Sequence, residues 1–202
     1  MTDTTVVNKT VKTEAPDGRR KRSVRSREKI IQALFDLVRA GDIDVSAQRV
    51  ANKAGISLRT VFRHFEEVDH IYKEITSRIE DEVTPMVIAP FKAGDWRGRL
   101  REVIDRRAKI YEHIMLLKLA GWIRRFGSDT LMERHRQFVV AERAMLESLL
   151  PKTLLEQHAL LNALDTGLSF EAWRRYRQDL NLLPEDARKA MLATMEAMTK
   201  GY

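Results

Sequence analysis

The chain has 202 residues, 44% of them apolar, with nine Gly and five Pro, enough for a continuous core in one large or two modest domains. It has no cysteine, which excludes disulfides, thiolate metal sites, iron–sulfur ligation and cysteine nucleophiles together. No run of about 18 apolar residues occurs, and the charged N-terminus lacks the apolar stretch of a signal peptide, so a cytoplasmic location and no membrane partner are expected.

The net charge of +7 is unevenly placed. Residues 1–65 hold 14 Lys/Arg against seven Asp/Glu, whereas the rest of the chain holds 22 of each. A segregated basic third is what phosphate neutralisation requires, because release of condensed counterions drives sequence-independent attraction to DNA. A membrane-surface arm, or a solvated tail with no partner, would be basic too.

Residues 1–22 have no periodicity and contain Pro16 and Gly18, so they read as a flexible basic arm carrying Arg19, Arg20, Lys21 and Arg22, with Arg25 and Arg27 just beyond. A first helix is expected from about Ser23, with Ile30, Ile31, Leu34, Leu37 and Val38 on one face and Gly41 after it as a stop. Ser46 can cap a second helix with Val50, Ala51 and Ala54 inward, ended by Gly55. Ser57 can cap a third, running to Phe65, with Val61 and Phe65 inward. Glu66, Glu67 and Asp69 suit the positive start of a fourth helix bearing Ile71, Ile75, Ile79 and Val83, which Pro85 and Pro90 should break. From about Asp95 to Tyr202 the pattern is helical, interrupted at Gly127 to Asp129, Pro151 and Asn181 to Pro184. The expected fold class is all-α, with nine or ten helices, no sheet and no internal repeat.

The stretch from Ser46 to Phe65 places two short capped helices around a turn with Gly. Ala51 is small enough for two helices to cross closely, and Gly55 can supply a positive φ. Ile56 and Val61 can fill the angle between them. This is the pattern of a helix-turn-helix, whose second helix enters the major groove, although a helical hairpin inside a bundle would look similar.

The flanking residues make the pattern more specific. Val50-Ala51, Ala54-Gly55-Ile56-Ser57, Thr60-Val61-Phe62 and His64-Phe65 resemble the signature of the tetracycline-repressor (TetR) family of bacterial transcriptional regulators, over about Ser23 to Ile79. The resemblance implies a three-helix DNA-binding domain with a connector helix at 23–84, then a helical effector-binding and dimerisation domain at 85–202. It implies a homodimer on a palindromic operator of double-stranded DNA, in most members a repressor released by a small-molecule effector.

By the same resemblance the base-facing positions are Gln48, Leu58, Arg59, Thr60 and Phe62, with Arg63 on the same face as Arg59. Arg59 matches the guanine O6 and N7 acceptors, Gln48 can pair with adenine, and Leu58 or Phe62 can touch thymine methyls. Ser46, Ser57, Thr60 and His64 are the expected phosphate contacts, with a packed histidine as the alternative for His64. Two positions depart from the family pattern: Phe62 stands where Tyr is usual, and Val68 where Lys is common. Both remove backbone contacts, for which the Arg19 to Arg27 arm could compensate along the phosphates or in the minor groove.

In the neutral remainder, Arg107, Tyr111, His113 and Trp122 are polar or aromatic residues within apolar helices and are candidates for an effector pocket, or ordinary boundary residues. Leu154, Leu155, Leu161, Leu164, Leu168 and Trp173 form one apolar stripe, and Met191, Met195 and Met198 another. A dimer interface is expected there, with an intrachain hairpin as the alternative. Nothing calls for a cofactor or metal. There is no Gly-rich phosphate loop, nucleophile elbow or metal-spaced His/Asp/Glu cluster, so an enzyme is not expected. A sequence-nonspecific or architectural DNA-binding protein is the nearest alternative.

Overall fold

The three- and four-residue spacing of Ile30, Ile31, Leu34 and Val38 makes one apolar stripe, and in the computed structural model, which describes residues 16–202, all four are buried. They lie on α1 (Pro16–Arg39), which starts well before the expected Ser23. Residues 16–22 therefore belong to a helix rather than to a flexible arm. Pro is tolerated in a first helical turn, and Lys and Arg are good helix formers, so neither Pro16 nor the basic run stops the helix. The arm's remaining residues lie outside the described region.

Two short helices follow. In α2 (Ala47–Ala54) the Ser46 hydroxyl accepts from the Arg49 amide, and Gly55 ends the helix at φ 65°. In α3 (Leu58–His64) the Ser57 hydroxyl accepts from the Thr60 amide. Val50, Ala51, Val61 and Phe65 join the α1 stripe in one core. The connector α4 (Val68–Ile88) contributes Ile71, Tyr72, Ile75 and Ile79 to the same core. Pro85 lies inside α4 and does not end it, contrary to expectation. Only the last turn follows it, and the helix stops at Ile88, two residues before Pro90.

The long helices α5 (Trp96–Arg124) and α6 (Asp129–Glu147) are joined by a single 3₁₀ turn, Arg125–Gly127. Then come α7 (Lys152–Leu155), α8 (His158–Gly167), α9 (Phe170–Arg174), a π-helical turn at Arg175–Asp179, and α10 (Pro184–Met198). The fold is all-α: ten α-helices and no strand among the described residues. Helix α4 packs on α1, α5 and α6, while α5 packs also on α1, α9 and α10. One buried cluster thus runs from Ile30 to Met195 without a break between the two expected domains.

The dimer expectation needs correction at the level of residues. Leu161, Leu164, Leu168, Trp173, Met191 and Met195 are all buried within the single chain, and Met198 is half-buried against the same core. Here the intrachain hairpin applies: α8 packs on α10, and a Cβ at Gly167 would lie 2.6 Å from the Met195 methyl carbon. Those side chains are spent on the fold and are not available to a second subunit.

The left-handed residue between α2 and α3 gives a clean test. A Cβ at Gly55 would meet nothing within 4 Å, so Gly55→Ala adds only backbone strain. A loss of about 1–2 kcal/mol in urea denaturation is expected, with the all-helical circular dichroism spectrum retained.

Candidate nucleic-acid interface and inner cavity

Helix α3 is anchored on one side and open on the other. Val61 is buried, whereas Arg59, Phe62 and Arg63 are exposed, with Phe62 47% accessible. Among the described residues Arg59 makes no hydrogen bond or ion pair, so its guanidinium fork is free to meet an external acceptor pair. Gln48 is exposed on α2 and bonds Asn52 at 2.9 Å. Thr60 and Ser57 join hydroxyls at 2.9 Å as part of the α3 cap, and Ser46 serves as the cap of α2. Leu58 is half-buried and packs on the core, which leaves less of it to face outward than expected.

His64 is half-buried and shows no side-chain bond to the nearby backbone. Its Nε2 is buried and meets no partner in the chain. Burial, then the nearby Arg63 and Arg27 charges, lower its pKa below the usual value. Its main-chain carbonyl accepts from Arg27, whose guanidinium also bonds Glu74 of α4 at 2.9 Å and lies 4.3 Å from the Phe65 ring centroid. Arg27 therefore ties α1 to the end of α3 and to α4, and does not extend the arm. Arg19, Arg20, Lys21, Arg22 and Arg25 lie exposed on the projecting first turns of α1.

A cavity of about 510 Å³ lies between α4, α5 and α6. Arg107, Tyr111 and Trp122 line it, as expected of an effector pocket, but His113 does not. His113 sits on the outer side of α5, exposed, 3.1 Å from Glu82. The walls are mostly aliphatic, including Ile79, Val83, Val87, Ile114 and Leu117. Arg107 is buried and donates to the main-chain oxygens of Leu168 at 2.9 Å and Glu142 at 2.7 Å, so it holds helices together at the cavity floor.

Beside it the Tyr111 hydroxyl contacts both the Glu142 carboxyl and the Leu168 carbonyl, and one hydroxyl proton cannot serve both. Burial raises the Glu142 pKa, with Arg107 as the main opposing charge. A protonated Glu142 donating to Tyr111, which in turn donates to Leu168, would satisfy all three groups. Burial likewise holds the Tyr111 phenol well above its ordinary value.

Lys118, His135, Phe138 and Glu142 complete the wall and were not anticipated. Lys118 is the single charge in the apolar run Ile114 to Ala120, and it lies one turn from both Ile114 and Trp122 on α5. That spacing is the signal that could have found it. Phe138 and Glu142 are one turn apart on α6, a pairing that only the packing of α6 against α5 turns toward Lys118. Burial pulls the Lys118 pKa down to about 8. Burial, then the Arg125 and Lys118 charges, lower that of His135.

Ion pairs join helices α4 and α5 to α1 and to the α1–α2 connection. Arg124, at the end of α5, bonds Asp69 of α4 and Asp44 of the α1–α2 connection, each at 3.1 Å. Arg78 of α4 forms a bidentate pair with Glu28 of α1, both bonds 2.8 Å.

No family model and no curated protein sequence matches the chain. Among solved structures, the fold resembles a transcriptional regulator from Rhodococcus sp. Rha1, at 20% identity and TM-score 0.68 over 87% of this chain and 96% of that one. It also resembles a putative transcriptional regulator from Streptomyces coelicolor A3(2), at 21% identity and TM-score 0.63 over 87% of this chain and 98% of that one. At this identity the likeness establishes a shared all-helical fold over nearly the whole of those chains. No helix among the described residues is long and apolar enough to cross a membrane.

The lowered Lys118 pKa makes the residue a cost to folding. The folded chain loses this proton near pH 8 and the unfolded chain near 10.5, so the full cost is present below pH 8 and is relieved as pH rises through that window. Lys118→Met should therefore raise Tm at pH 7, on the order of 3 °C, with the gain shrinking between pH 8 and 10.5 in thermal melts.

Proposed function

We propose that the chain is a sequence-specific DNA-binding transcriptional regulator of the tetracycline-repressor type and not an enzyme. It reads a palindromic operator as a homodimer and is released from it when a small molecule enters the cavity. The observation that carries this reading is the α2–turn–α3 unit: two capped short helices around a left-handed Gly55, with Val61 inward and Arg59, Phe62 and Arg63 outward. This is the arrangement in which a recognition helix presents its outer face to the major groove. Arg59 would read guanine, Phe62 a thymine methyl and Gln48 an adenine, while Ser46, Ser57 and Thr60 lie toward the phosphates. The basic first turns of α1 add charge beside the same edge.

Effector control is supported by α4, which lines the cavity at one end and packs on α1 at the other, and by the Arg124 bridge to Asp44. A ligand that moves α4 or the end of α5 shifts the α2–α3 unit with it. Pairing of subunits through α8 and α10 would use their outer faces, with Ala163, Ala193 and Ala197, since the inner faces are filled.

Selection of bound fragments from random DNA at two salt concentrations tests the reading. An enriched palindrome bound by a dimer is expected, and Arg59→Ala should cost about 1–3 kcal/mol at one base position per half-site. Uniform weakening across all sequences would favour the architectural alternative. Alanine at Arg19, Arg20, Lys21, Arg22 and Arg25 together should flatten the dependence of affinity on salt while leaving base preference intact. An unchanged salt slope would remove the α1 extension from the DNA interface.

A further inference from the structure

The cavity wall carries four cationic side chains, Arg106, Arg107, Lys118 and Arg134, against two carboxylates, Glu80 and Glu142. Three of the cations are answered from within the chain. Arg106 donates to the carbonyls of Val87, Ala89 and Pro90, and Arg107 to those of Leu168 and Glu142. Arg134 bonds Glu80 at 2.5 Å and Ser77 at 3.2 Å.

Lys118 differs. Among the described residues its ammonium has no hydrogen-bond acceptor and no carboxylate within ion-pair distance. Its close contact is the face of the Phe138 ring, 3.2 Å from the centroid, with Phe170 at 5.9 Å. Glu80, Glu142 and Glu171 act on it only from farther away.

The remaining imbalance has the same sign. The buried wall atoms without a partner are the Trp122 Nε1 and the Arg134 Nε, both donors. Both wall carboxylates are engaged, Glu80 by Arg134 and Glu142 by Tyr111. The cavity is thus aliphatic over most of its surface, with Thr76, Thr84, His135 and Gln137 as its other polar side chains, and holds one ammonium with no carboxylate within ion-pair distance among the described residues. Burying a charge in that way is unfavourable unless a partner arrives to neutralise it.

We propose that the cavity takes an apolar monoanion, a hydrophobic carboxylic acid in its ionised form, and this assignment rests on the reading of the cavity as the effector site. The carboxylate pairs with Lys118 Nζ. The hydrocarbon body lies along Val83, Val87, Ile114 and Leu117. A volume of about 510 Å³ suits one small molecule of this kind. A cationic ligand would meet Lys118 with both carboxylates already taken.

Calorimetric titration of the full chain tests the assignment. The probes are decanoate, below its micellar range, and naphthoate, each beside its neutral alcohol, with decylamine as the cation. At least one acid should bind about tenfold or more tightly than its alcohol. Lys118→Met should remove that preference while leaving affinity for the alcohol within about twofold, and Lys118→Arg should keep it. A thermal melt of each variant establishes that it is folded.

Equal binding of acid and alcohol in both series, tighter binding of decylamine, binding of no probe, or an intact preference in Lys118→Met would overturn the proposal. Release of operator DNA is measured separately, by fluorescence anisotropy. An acid that binds through Lys118 without releasing DNA would overturn the effector role and leave the ligand class standing.

Discussion

Helix α4 is shared between two packing problems, and most of the structure follows from that constraint. Its 21 residues span about 31 Å at the usual helical rise. Ile71 and Ile75 near its start close the core under α1, and Thr76 to Ile88 form one wall of the cavity. Neither end can move as a rigid body without the other. The buried cluster is continuous across it, so the described residues share one core.

The ionic ties between the regions act as geometric guides more than as sources of stability. Arg27, Arg78 and Arg124 each reach from one helix to another, but most of their carboxylate partners are substantially exposed. Pairs of that kind contribute little net free energy in water. Their effect is on register: bidentate Arg78 fixes how α1 lies along α4, and Arg124 fixes the end of α5 relative to the α1–α2 connection. The Asp69 end of the Arg124 bridge is the more sheltered, with 13% of its side chain accessible. Stability comes instead from burial of apolar side chains, since a chain without cysteine has no covalent reinforcement.

The cavity shows the opposite use of polar groups. Arg107, Tyr111 and Glu142 are satisfied among themselves and by two main-chain carbonyls, and they rigidify the floor. Lys118 is left over at the wall. Apolar walls raise the electrostatic weight of a single ammonium, because they screen it less than bulk water does.

Much of the α2–α3 unit was legible in the sequence because its determinants are local. Ser46, Gly55 and Ser57 cap or turn the chain through their own backbone contacts, and the spacing of Val50, Ala51, Val61 and Phe65 declares the buried side. The all-helical class was legible for the same reason, since periodicity of three and four residues is a property of single segments. What single segments do not carry is which apolar stripe meets which. Leu161, Leu164, Met191 and Met195 read equally well as an interface between subunits, and only the packing of α8 on α10 assigned them to the interior. His113 and Trp122 both lie on α5, yet only the placement of α4 and α6 decided that one faces outward and the other the cavity. The pairing of Lys118 with Phe138 depends likewise on how α5 and α6 cross. Local backbone chemistry thus determined the elements and the α2–α3 turn, and long-range packing of apolar faces decided the cavity, its charge and the fate of each stripe.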